Sequence, residues 1–129
     1  MFLEKIIKNI LTDFNYEIEI RNDLIYVLVC RNDILGVLLK LKNNSFAVLI
    51  DCFATNHIND DKIVDIYYHL LSYQYNQSVC IYTNVNDKVT QSILSIFTNA
   101  NWYEREMYEV YNVNFSGHDN LRELFNHYE

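Results

Sequence analysis

The sequence predicts an α+β fold, a single domain in which helices pack on an antiparallel-rich mixed sheet. Three observations carry that expectation. Apolar residues repeat at helical spacing over residues 2–14, YEIEIR at 16–21 alternates strictly, and β-branched and aromatic runs follow with polar turns between them. At 129 residues the chain can bury one core and is small for two, so residues 1–129 read as one domain.

In the first element, Phe2, Leu3, Ile6, Ile7, Ile10, Leu11 and Phe14 share one side, with Glu4, Lys5, Lys8, Asn9 and Asp13 between them, as in an amphipathic helix. In YEIEIR, Tyr16, Ile18 and Ile20 take one face of a strand, and Glu17, Glu19 and Arg21 the other. Asn22 and Asp23 form a turn into LIYVLVC, whose continuous apolar run is expected to be a central strand buried on both faces. Asn32 or Asp33 can cap a short helix through Ile34, Leu35, Leu38 and Leu39 that stops at Asn43 and Asn44. SFAVLIDCF is a third strand, and TNHINDD after it is expected to be a polar loop. IVDIYYHLLSY fits a helix by spacing, but its β-branched and aromatic content favours a strand. SVCIYTNV is a further strand, and a helix is expected from about Asp87 through Val89, Ile93, Leu94, Ile96 and Phe97.

Composition narrows the function. A formal charge of -7 with scattered bases argues against nucleic acid, which is held by clustered lysine and arginine. No run approaches the ~18 apolar residues of a membrane span. Cys30, Cys52 and Cys80 lie in apolar stretches without CxxC spacing and are expected to be buried, reduced thiols. Charged residues interrupt MFLEKIIKNILTDF, so it reads neither as a signal peptide nor as a transit peptide. Two glycines and no proline, beside abundant Asn, Ile, Tyr and Phe, point to AT-rich coding DNA, as in an organelle or a reduced bacterial genome.

The stretch NWYEREMYEVYNVNFSGHDNLRELF, residues 101–125, concentrates charge and aromatic rings. Asn101 is expected to cap a helix, with Glu104 reaching back to it as a capping box. Tyr103, Met107 and Val110 then share one side, Arg105 and Glu109 pair at i and i+4, and Asn112 takes the left-handed conformation that ends the helix. Glu104, Glu106 and Glu109, with His118, could form an acid–base or metal set. They do not reproduce HExxH, and no glycine-rich phosphate loop or nucleophile elbow accompanies them. His69 is expected to be a satisfied sheet histidine, and His57 and His127 to face solvent.

This stretch resembles the signature of the thirty-kilodalton subunit family of respiratory complex I, NADH:quinone oxidoreductase. The residues that carry the likeness are Trp102, Glu104, Arg105, Glu106, Glu109, Val110, Tyr111, His118, Leu121 and Arg122. Upstream, FAVLIDCFA, IYYHLLSYQYNQSV and SILSIF are similar as well, so the resemblance covers about residues 46–125. Asn112 stands where a glycine is usual, Asp119–Asn120 where Pro-Asp is usual, and Glu123 where a second arginine is usual. The chain ends at Glu129, where many relatives continue, so the usual C-terminal extension is expected to be missing.

The resemblance implies a non-catalytic scaffold in the peripheral, quinone-module arm of a proton-translocating complex. Its partner there is the large quinone-site subunit, and its membrane association comes only through the complex. No cofactor is then bound by this chain, while FMN, iron–sulfur clusters and quinone belong to other subunits. The docking residues carried over are Trp102, Glu104, Arg105, Glu106, Glu109, His118, Leu121 and Arg122. The expected place is the matrix side of the mitochondrial inner membrane, with the cytoplasmic face of a bacterial inner membrane as the alternative. The functional alternatives are an adaptor of another large complex, or a small hydrolase using Glu106, Glu109 and His118.

Overall fold

The computed structural model describes residues 2–57 and 60–118, apart from the side chain of Asp61. Helix α1 (Phe2–Ile10) leads into the hairpin β1 (Tyr16–Arg21) and β2 (Leu24–Val29). Asn22 and Asp23 both have positive φ, 50° and 67°, as a two-residue turn matched to strand twist requires. A 3-10 turn at Arg31–Asp33 and helix α2 (Ile34–Asn43) follow, then β3 (Val48–His57), β4 (Asp60–Ser72) and β5 (Gln77–Val85). The chain ends its described course with β6 (Val89–Gln91), helix α3 (Ala100–Tyr111) and β7 (Asn114–Ser116).

The main sheet has the order β1-β2-β5-β4-β3, with β2 and β5 parallel and its other neighbours antiparallel. Strands β6 and β7 pair separately, in parallel. Fold class is therefore as the sequence predicts. On one face of the sheet Ile25, Val27, Cys52, Ile66, Tyr68, Leu70, Val79 and Ile81 join Leu3, Ile7 and Ile10 of α1, the inner residues of α2, and Met107 of α3 in one core. Gly36 lets α2 pass close to Phe14, because a Cβ there would stand 3.0 Å from Phe14 Cζ.

The opposite face carries a ladder of rings. Tyr67 stacks between Phe53 and Tyr82 at centroid distances of 5.0 and 5.1 Å, Tyr26 meets Tyr67 and Tyr82 edge-on, and the Arg21 guanidinium lies 4.7 Å over the Tyr26 ring. This corrects the expectation for LIYVLVC. Ile25, Val27 and Val29 are buried, whereas Leu24 is exposed and Tyr26 and Leu28 are half-buried, because the outward residues are covered only by one another.

Four other local expectations change. The expected loop TNHINDD is mostly strand, since Thr55↔Asp65 and Asn56↔Val64 keep β3 and β4 paired; polar side chains are well tolerated on an open face. The expected helix over residues 87–97 is β6 followed by turns. Asp87 Oδ1 accepts a bond from Val89 N, Ser92 Oγ accepts one from Leu94 N, and Lys88 has φ 59°, so side-chain bonds to the backbone outcompete a helical ladder. Ile93, Ile96 and Phe97 are still buried, from turns rather than from a helix face. Neither Asn32 nor Asp33 caps α2; both lie in the 3-10 turn that precedes it, and Asp33 has αR backbone with no side-chain cap bond. Cys52 and Cys80 are buried as expected, but Cys30 is exposed, at the point where the chain leaves the sheet.

Asn112 does end α3 in the left-handed conformation, at φ 60° and ψ 29°, and its amide bonds to the Tyr108 carbonyl. Asn112→Ala should cost about 1 kcal/mol, because a plain Cβ is strained there, and Asn112→Gly should not; urea unfolding of the pair checks this.

Candidate functional site

The stretch from 101 onward is built around α3, whose inward stripe is Ala100, Glu104 and Met107. Glu104 forms no capping box. The helix begins two residues earlier than expected, after Asn99, so Asn101 lies in the first turn and Glu104 faces inward. Its side chain is fully buried. One carboxylate oxygen takes a 2.6 Å bond from Ser92 Oγ, and the other a 2.8 Å bond from Ile93 N. Burial raises its pKa from an ordinary 4.5 to about 7, against the opposing effect of those two hydrogen bonds.

The β6–β7 pairing brings residues 114–116 beside 89–91 and thereby carries His118 to the same place. The buried His118 Nε2 lies 3.4 Å from the Asn101 carbonyl and 3.9 Å from Glu104 Oε1, while its Nδ1 has no partner. Two residues of the sequence signature, Glu104 and His118, thus meet inside the molecule. Sequence reasoning does not find Ser92 and Ile93. Ser92 gives only a turn signal, and a backbone N–H leaves no mark on composition.

The outward side of α3 is different in kind. Trp102 is 63% and Val110 68% exposed, and Glu106 and Glu109 between them are exposed as well. Val110 therefore does not share the buried side with Met107. At about 100° per residue Met107 is already at one edge of the inward stripe, and Val110 falls roughly 60° beyond it, on the side away from Glu104. Among the described residues no ion pair joins Arg105 to Glu109; Arg105 is half-buried, and its Nε has no partner. From behind, Asn99 Nδ2 donates to the Leu49 carbonyl and Tyr103 OH to the Ile50 carbonyl, at 2.8 and 3.2 Å, fixing the helix to edge strand β3.

Glu106, Glu109 and His118 are not brought together: the two acids face water and the histidine is enclosed against Glu104. Among the described residues no group of three or more His, Cys, Asp or Glu could hold a metal ion. His57 is not free in solvent, since its Nδ1 lies 3.0 and 3.1 Å from the two oxygens of Asp65. His69 is not satisfied: its buried Nε2 has no partner, and desolvation lowers its pKa against the pull of Asp51. Leu121, Arg122 and His127 lie outside the described residues.

Comparison with known proteins gives a consistent result. The family described as respiratory-chain NADH dehydrogenase, 30 Kd subunit, matches residues 27–129. An NADH-quinone oxidoreductase subunit of Rickettsia felis is 40% identical over 85 residues, covering 65% of this chain and 41% of that protein. The mitochondrial NADH dehydrogenase (ubiquinone) iron-sulfur protein 3 of Candida albicans is 34% identical over 110 residues, covering 82% and 39%. The chain thus spans about half or less of the length of the curated relatives it matches. A trypsin-resistant fragment of Nqo5 superposes with a TM-score of 0.73 at 19% identity, covering 92% of this chain and 98% of that one. A chain of an archaeal membrane-bound sulfane sulfur reductase gives 0.83 at 20% identity, covering 94% and 74%. At those identities the structural likeness is one of fold.

Proposed function

The chain belongs to the family of the respiratory-chain NADH dehydrogenase 30 Kd subunit, and from that premise we propose that it is a non-catalytic scaffold in the peripheral, quinone-module arm of a proton-translocating NADH:quinone oxidoreductase. One observation in the molecule carries the docking role. Helix α3 turns Trp102 and Val110 outward, flanked by Glu106 and Glu109, on a backbone anchored by the buried Glu104. Exposed large apolar side chains with a polar rim mark protein interaction surfaces.

In this reading the docked partner is the large quinone-site subunit. Trp102, Glu106 and Glu109 contact it, Arg105 finds there the partner its Nε lacks, and Leu121 and Arg122 extend the contact. Glu104 and His118 act from within by holding α3 and the segment after it. FMN, iron–sulfur clusters and quinone are held by other subunits. The chain works on the matrix side of the mitochondrial inner membrane and is organelle-encoded; the bacterial counterpart is the cytoplasmic face of the inner membrane. It meets the membrane through the complex, and no helix among the described residues is long and apolar enough to cross one.

The test is to tag the chain in its native cell and extract membranes with mild detergent. Retention on a very large particle that oxidises NADH with a quinone acceptor is the expected result. Recovery only as a free small protein overturns the proposal.

A further inference from the structure

Strands β2 and β5 are the parallel neighbours in the main sheet, paired from Ile25↔Val79 to Leu28↔Tyr82. Beyond Leu28 they part. The chain leaves β2 through Cys30 into the 3-10 turn, while β5 runs on to Val85 with β4 at its other side. When adjacent parallel strands send their chains in different directions, a crevice is left at their carboxyl ends, and ligands are commonly bound in such crevices. Here it measures about 680 Å³, with Tyr16 and Cys30 among its lining on one side and Thr83 and Asn84 on the other. Arg31, which also lines it, is held by an ion pair with Asp87 and a 3.1 Å bond to the Val89 carbonyl.

The chemistry of the crevice selects among occupants. Its one guanidinium is already neutralised by Asp87 and the lining also includes Glu17, so a phosphate or other small anion gains little there. Asn15, Asn84 and Asn86 carry amides, each able to donate and accept, as a peptide group does. Thr83 is fully buried in the wall, and its Oγ1 has no partner. Past Tyr82, moreover, the β2-facing edge of β5 has no paired strand among the described residues, although main-chain N–H and C=O groups require partners.

We propose that this crevice receives one extended, uncharged polar segment of a neighbouring protein chain, which adds main-chain hydrogen bonds to the free edge of β5 beyond Tyr82. The inference rests on the reading that the chain works inside a multi-subunit particle, and it adds a second contact apart from α3.

Cys30 supplies the probe, being exposed within the crevice, and the buried Cys52 and Cys80 serve as internal controls. Alkylation by N-ethylmaleimide is followed by peptide mass spectrometry in the purified particle and in the free full-length chain. Cys30 is expected to react at least about tenfold more slowly in the particle, because a seated segment excludes the reagent. A photo-crosslinking residue placed at Asn84 is expected to label one segment of another subunit. Equal Cys30 reactivity in the two samples overturns the inference, as does a crosslink to this chain or to a second copy of it. Absence of the chain from the particle is a separate result and overturns the functional reading itself.

Discussion

Glu104→Ala is expected to lower the unfolding free energy at pH 6 by on the order of 3 kcal/mol, far more than alanine at the exposed positions of α3. The carboxyl group accepts from the Ser92 hydroxyl and the Ile93 amide inside the molecule, shielded from water. Removing it strands both donors and leaves a cavity, and each orphaned group costs about 1–3 kcal/mol. Glu104→Gln keeps the shape and an acceptor oxygen, so at the same pH it should cost about 1 kcal/mol.

The pH dependence separates charge from shape. In the folded chain the Glu104 pKa is raised to about 7 from 4.5, so between those values the unfolded chain has released a proton that the folded chain retains. Glu104's contribution is therefore fully present below pH 4.5 and is lost as pH rises toward 7 and through it. The shift corresponds to about 3 kcal/mol. Relative to the parent, Glu104→Gln should consequently gain on the order of that amount as pH rises from below 4.5 to above 7. Urea unfolding of both proteins across this range is the measurement, and parallel stability curves would contradict a buried, proton-retaining carboxyl group.

How much is legible in the sequence differs by element for physical reasons. YEIEIR, the Asn22–Asp23 turn and the Asn112 cap can be read directly because each depends on a local rule, namely alternation, positive φ or a left-handed cap. Residues 87–97 mislead because Val89, Ile93, Ile96 and Phe97 have helical spacing, while Asp87 and Ser92 bind their own backbone and bend it. At the site, the residue types are readable but their directions are not. Glu104 satisfies a capping rule, yet the partners that claim it lie eleven and twelve residues earlier, beside the β6–β7 pairing. That contact is tertiary, and no window of sequence around α3 identifies it.

The same division between the two sides of α3 sets the expected behaviour of Trp102. In the isolated chain Trp102→Ala should change stability by no more than about 0.5 kcal/mol, because the ring is already mostly in water. In the assembled particle the ring is proposed to fill a pocket of the partner, where a tryptophan anchor is worth about 2 kcal/mol or more, roughly thirtyfold in affinity. Incorporation measured by competition between tagged parent and variant chains should fall by about that factor, with the urea midpoint of the free variant unchanged. Trp102→Phe should recover part of the loss, since much of the apolar area remains. Glu106→Lys with Glu109→Lys acts at the rim and should instead alter the salt dependence of incorporation. Equal incorporation of Trp102→Ala and parent would remove the outward face of α3 from the docking surface, leaving Glu104 and His118 with a purely internal role.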